Sequence, residues 1–109
     1  MKVSNMRGHS GREVPNQFII TDEGRGANGN FIKREVFQSY NSVIAVRTFW
    51  RQEDIEGIPN AKTIEIELDS TYWDYSTTTG KYRNLFLGED KKETERKIKN
   101  GTYTLTNLN

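Results

Sequence analysis

Apolar and polar side chains alternate through four stretches of this chain up to Asp69, and after Asp69 the period lengthens. PNQFIIT, Pro15 to Thr21, is rich in β-branched and aromatic residues and opens on a proline, which a strand tolerates at its first position. FIKREVFQSY, Phe31 to Tyr40, reads as a half-buried strand with Phe31 and Phe37 on one face and Ile32, Val36 and Gln38 on the other. SVIAVRTFW, Ser42 to Trp50, predicts a third strand. TIEIELD, Thr63 to Asp69, sets Ile64, Ile66 and Leu68 inward against Glu65 and Glu67 outward. The Gly- and Asn-rich DEGRGANGN predicts a hairpin loop, and the charged RQEDIEGIPNAK a connection. Strands in series with short joins imply an antiparallel meander.

Beyond Asp69, Ser76 or a following threonine is placed to cap a helix. Tyr82, Leu85 and Phe86 fall at helical spacing, and Gly88 can end the turn. EDKKETERKIK predicts a second helix that stops at Asn100-Gly101, with basic residues in its last turns as the helix dipole prefers. Ile98 is its one strong apolar residue, so most of it should lie in solvent. TYTLTNLN alternates Tyr103 and Leu105 against threonines and predicts a short strand or a packed extended tail. Residues 1–12 are polar and contain glycine, which reads as a flexible or loosely docked arm. The expected fold class is α+β: an N-terminal antiparallel β-sheet, a meander of four or five strands, with short C-terminal helices. Residues 13–109 should form a single domain.

Composition sharpens this picture. A chain of 109 residues supports one compact core and not two. It has no cysteine, which excludes disulfides, thiolate metal sites and a cysteine nucleophile. No apolar run approaches a membrane span, and MKVSNMRGHSGREV lacks a signal-peptide pattern, so a soluble protein of the cytoplasm is expected. A net charge of +1 gives no overall field for nucleic acid or anionic membrane. The apolar fraction, 33 %, predicts a small core and burial of some aromatic surface by a second copy of the chain, hence a homo-oligomer.

Catalytic chemistry finds little to work with. The single histidine, His9, lies in the polar arm, so Ser-His and Cys-His systems are absent and no enzymatic activity is expected. Glu65 and Glu67 share the outward face of a strand, where a solvated role is the simpler account. Neither Glu93 to Glu95 nor the run from Asp22 has metal-loop spacing, and GRGANGN lacks the Walker spacing, so neither metal nor cofactor is expected.

Binding chemistry is concentrated in YWDYSTTTGKYRNLF, Tyr72 to Phe86, which brings aromatic rings, hydroxyls, Lys81, Arg83 and Asn84 together. Rings stack bases, cations neutralise phosphate, and a helix start among hydroxyls is an anion seat. The same residues serve equally as the lid of a small core, with Thr77 to Thr79 as cap residues. A core segment that also walls a pocket satisfies both readings.

The runs GREVPNQFII, FQSYNSVIA, YWDYSTTTGKYRNLFL and KIKNGTYTLTNLN resemble a family of small proteins that recur in phages and prophages of Firmicutes, across about residues 11 to 109. That family is in turn similar to the phage anti-Thoeris sponges, which capture a cyclic ADP-ribose-type or cyclic nucleotide immune signal without degrading it. The resemblance implies a sheet-plus-helix protomer, assembly into oligomers, ligand pockets shared between protomers, and work in the cytoplasm of an infected bacterial host. For such a ligand, residue chemistry assigns Trp73 and Tyr75 to stacking and Arg83 with Lys81 or Arg12 to phosphate. Asn84, Gln38 and Thr78 are assigned to hydrogen bonds at base edge or sugar. Two rivals stay open: an inhibitor directed at a host defence nuclease, and a weak nucleic-acid binder using Lys91, Lys92, Arg96, Lys97 and Lys99. Interleaved Glu89, Asp90, Glu93 and Glu95 oppose the second by cancelling the strip's field.

Overall fold

The computed structural model describes residues 1–24, 32–50 and 63–109. Five strands run in sequence as an antiparallel meander: β1 (Lys2–Arg7), β2 (Glu13–Glu23), β3 (Lys33–Ser39), β4 (Ser42–Phe49) and β5 (Ile64–Asp69). Helices α1 (Thr77–Leu87) and α2 (Lys91–Lys99) follow, and β6 (Thr104–Thr106) returns beside β5 in parallel. The α+β class and the meander match the alternation in the sequence. The loop residues RGANGN, Phe31, and the connection RQEDIEGIPNAK fall in 25–31 and 51–62, outside the described residues.

One expectation is corrected at the N-terminus. Residues 2–7, read as part of a flexible arm, form β1 and pair with β2 from Lys2 against Thr21 to Arg7 against Glu13. Met6 alone of this strand is buried, which is why polar composition concealed it. The register shifts around Met6, so Val14 to Gln17 of β2 face a single residue of β1. Pro15 and Asn16, the latter at φ 65°, sit in that irregular stretch, where a missing ladder N–H and a left-handed backbone are tolerated.

A second register shift builds the core. Phe37 faces Ala45 while Gln38 faces Val43, so Ile44 is an extra residue in β4. A bulge of this kind lets two successive side chains serve one face, and both Ile44 and Ala45 are buried beside Phe37, Leu68, Met6, Phe86 and Tyr103. Phe86 of α1 stacks on Phe37 with ring centroids 5.8 Å apart. Arg47 joins helix and sheet: it donates to Glu35 and to the Phe86 carbonyl, both at 2.9 Å, with its guanidinium over the Phe86 ring. A cation beside the last carbonyls of α1 also suits the helix dipole.

Both helix starts are capped. Ser76 accepts from the Thr79 N–H and Asp90 from the Glu93 N–H, and Gly88 closes α1 at φ 71°. Each cap contributes on the order of 1 kcal/mol. In β5, Leu68 is fully buried and Ile66 half-buried, but Ile64, expected inward, is 48 % exposed. The core clustered on Leu68 does not reach that end of the strand.

Two carboxylates lock the C-terminal third. Asp69, at the end of β5, accepts from the backbone N–H groups of Thr71, Tyr72 and Leu108. Glu89 accepts from Thr94 and Tyr103, each at 2.6 Å, and from Lys97 at 2.8 Å. Asn109 both donates to and accepts from the backbone of Val43, which fastens the tail to β4. Among the described residues no helix is long and apolar enough to cross a membrane.

Candidate functional site

The turn from Ser70 to Ser76 delivers the chain from the end of β5 to the start of α1, with the Trp73 N–H bonded to the Asp69 carbonyl. Beside this turn lies a concavity of about 610 Å³ lined by Asp74, Ser76, Thr77, Gly80, Lys81, Arg83, Asn84 and Lys91. Three cationic side chains thus surround one carboxylate at the positive end of a helix whose first N–H groups have no intrahelical acceptor.

Arg83 forms the floor. It is 1 % exposed, donates through Nη1 to the Trp73 carbonyl (2.7 Å) and Asp74 (3.1 Å), and through Nη2 to Asn84 (3.0 Å). Its Nε is buried without a hydrogen-bond partner among the described residues. Lys91, from the first turn of α2, reaches the other oxygen of Asp74 at 2.7 Å. Burial works against the charge on Asp74, but the hydrogen bonds from Lys91 and Arg83 outweigh it and hold the carboxyl below its usual range. Gly80 stands directly over the pair: a Cβ there would lie 3.7 to 3.8 Å from both guanidinium Nη atoms and from the carboxylate. Its missing side chain leaves the Arg83–Asp74 pair facing the hollow.

A second hollow of about 440 Å³ continues along α1, sharing Lys81 and Asn84 and adding His9, Leu85, Gly88, Glu89 and Asp90. Of the residues assigned from the sequence, Lys81, Arg83 and Asn84 line the first concavity together. Trp73 is half-buried against the core, with the Arg83 guanidinium 5.2 Å from its ring, so that face is already occupied. Tyr75 is 70 % exposed and meets Tyr72 edge-on, outside the lining. Thr78 is exposed on α1 but does not line the hollow.

Gln38 and Arg12 are placed elsewhere. Gln38 alternates with Phe37, so it projects from the opposite sheet face, where its amide donates to the Tyr40 carbonyl. Arg12 is exposed between β1 and β2 and does not line the concavity. Asp74, Ser76, Thr77, Gly80 and Lys91 complete the concavity without having been assigned to it. A glycine inside a helix was the usable signal, because it costs about 1 kcal/mol against alanine and marks a close approach.

The basic strip on α2 is largely spoken for. Arg96 is paired with Glu93, Lys97 with Glu89 and Lys91 with Asp74. Among the described residues no group of acidic or histidine side chains has the arrangement of a metal site.

One comparison places the chain in a family. Residues 1–101 match the model of DUF8033, a family of unknown function. The chain belongs to that family. No curated protein and no solved structure matches it.

Proposed function

We propose that this protein is a binding protein that sequesters a phosphate-bearing nucleotide-type signal in the concavity at the start of α1. The observation that carries the reading is buried Arg83 paired with the partly exposed Asp74 under Gly80, ringed by Lys81, Lys91 and the Ser76–Thr77 helix start. A phosphate entering there gains the helix N-terminus, the Lys81 ammonium and a share of Lys91, while Asn84 and Thr77 face its sugar or base. Charge-assisted hydrogen bonds contribute about 1.5 to 3 kcal/mol each, so three of them less the cost of ordering the ligand support binding in the micromolar to millimolar range, which base and sugar contacts tighten.

The resemblance in the sequence narrows the class to cyclic nucleotides and cyclic ADP-ribose isomers, held intact as a phage counter-defence measure in the host cytoplasm. Capture needs affinity and stoichiometry and no turnover, which suits a chain with one histidine and no cysteine. Self-association, expected from the small apolar fraction, belongs to the same reading.

The test is a thermal-shift and calorimetric screen of the full chain against cyclic ADP-ribose isomers, cyclic di- and trinucleotides and linear nucleotides. Chromatography of the ligand after heat release completes it. Binding with intact release that is lost in Lys81→Ala supports the proposal. Altered ligand would replace it with an enzyme, and no binding across the panel would leave the concavity without this role.

A further inference from the structure

We infer that the second hollow is the base subsite for a nucleotide whose phosphate sits in the first, and that Asp90 there selects a base bearing an exocyclic amino group. The inference rests on the proposed function and adds to it the orientation of the ligand and the choice of base.

The two hollows form one groove along a single face of α1. Thr77, Gly80, Lys81, Asn84, Leu85 and Gly88 recur at three- and four-residue spacing and line one hollow or the other, with Lys81 and Asn84 in both. From Thr77 to Leu85 this face runs about 12 Å, a span that one nucleotide bridges from phosphate to base. Asn84 sets the chemistry of the junction. Arginine can only donate, so the Asn84 Oδ1 faces the Arg83 Nη2 at 3.0 Å, and the Asn84 Nδ2 donor is left for a sugar oxygen.

Charge orients the ligand in this groove. In the first hollow Lys81, Arg83 and Lys91 outnumber Asp74, whereas the second brings in two carboxylates, Glu89 and Asp90. A phosphate is therefore favoured in the first and opposed in the second. The two carboxylates differ in what they can still accept. Glu89 already takes Thr94 on one oxygen and Lys97 and Tyr103 on the other, and its side chain is 8 % exposed. Asp90 is exposed, accepts from the Glu93 N–H through Oδ1, and has no partner for Oδ2 among the described residues. That oxygen is open to an N–H donor.

The rest of the second hollow suits a flat ring. Leu85 packs half-buried on the core and offers an apolar surface, and His9 offers the face of an imidazole on which a base can stack. His9 sits exposed on the turn between β1 and β2, with no hydrogen-bond partner among the described residues. Hydrogen bonds from Gly8 to the Arg12 carbonyl and from Gly11 to the Gly8 carbonyl hold that turn in shape. A base lying there with an amino group toward Asp90 donates to Oδ2, whereas an oxo group in the same place would turn a lone pair toward the carboxylate.

Chemical-shift titration of the full chain with adenosine 5′-monophosphate, inosine 5′-monophosphate and ribose 5-phosphate tests this. The two nucleotides differ at the ring edge in amino against oxo, and the third compound lacks a base. All three should bind, adenylate about tenfold tighter than either of the others, with shifts at His9 and from Leu85 to Asp90 that ribose 5-phosphate does not produce. Asp90→Asn keeps the helix cap, because Oδ1 still accepts from Glu93, and puts an amide N–H₂ in place of Oδ2. Its preference should reverse toward inosinate. His9→Ala should weaken both nucleotides and leave ribose 5-phosphate unchanged. Adenylate no tighter than inosinate, or an Asp90→Asn chain that keeps the native preference, overturns the selection of an amino group. Adenylate no tighter than ribose 5-phosphate overturns the base subsite and leaves the phosphate seat standing, whereas no binding of any of the three overturns both.

Discussion

Arg83 spends one terminal nitrogen on two acceptors, the Trp73 carbonyl at 2.7 Å and the Asp74 carboxylate at 3.1 Å, while its side chain is 1 % exposed. A cation so placed is a structural member before it is a ligand contact. Removing it takes the donor from the Trp73 carbonyl and leaves the partly exposed Asp74 with Lys91 alone, and loss of hydrogen bonds from a charged group costs about 1.5 to 3 kcal/mol. Arg83→Ala should therefore lower the unfolding free energy by that order in urea titrations. Lys81 has no ion-pair partner among the described residues and is exposed, so Lys81→Ala should leave stability within about 0.5 kcal/mol. Equal stability in the two variants would refute this division of roles.

Gly80 separates folding from binding in the opposite sense. Its backbone is helical and an added methyl would sit at ordinary contact distance from Arg83 and Asp74, so Gly80→Ala should raise stability by about 0.5 to 1 kcal/mol. The same methyl covers the ion pair from the concavity. Under the proposed function, the stabilised variant should bind the nucleotide ligand more weakly, by about tenfold or more. Calorimetry beside a melting curve reads both effects on one sample, and unchanged affinity would remove Gly80 and the pair beneath it from the site.

Much of the fold was legible because its signals are local. Period-two alternation marked β2 through β5, and Ser76, Gly88 and Asn100-Gly101 bounded the helices. β1 was hidden because its cohesion comes from pairing with β2 and one buried side chain, Met6, and neither leaves a pattern in six residues. The site was legible only in part. Lys81 and Asn84 follow from their place on α1, but Arg83 reads as a surface cation until the turn brings Trp73 and Asp74 to it. Gln38 shows the reverse: its chemistry fitted the ligand, and strand parity alone sends it to the other side of the sheet.

Asp69 ties three separate segments to the end of β5. Burial opposes its ionisation, but hydrogen bonds from the N–H groups of Leu108, Tyr72 and Thr71 and from Asn109 outweigh that and hold its carboxyl below the usual range. A depressed carboxylate contributes stability that is present above its unfolded value, near pH 4, and lost as pH falls through the folded one. Asp69→Ala, which leaves three N–H groups unpaired, should cost about 3 kcal/mol at neutral pH. It should also flatten the acid side of the stability profile, and urea titrations at pH 7 and pH 3 on both chains check the two effects together.

Tyr103 governs the alkaline side. Burial first, then the hydrogen bond to Glu89 and the negative charge there, push its hydroxyl up to about 12. The sign follows from which form the fold prefers: neutral Tyr103 donates to Glu89, whereas a phenolate would be buried against a carboxylate 2.6 Å away. Its contribution is therefore complete below the ordinary tyrosine value, near 10, and is lost as pH rises from there through about 12. Lys97, raised by its hydrogen bond to Glu89, loses its charge over the same alkaline range and adds to the fall. Tyr103→Phe should lower the melting temperature at pH 7, because Glu89 loses one donor, yet show a shallower decline above pH 10 than the native chain. Melting curves taken stepwise from neutral to strongly alkaline pH distinguish the cases. Parallel declines in the two chains would mean that Tyr103 does not titrate against Glu89.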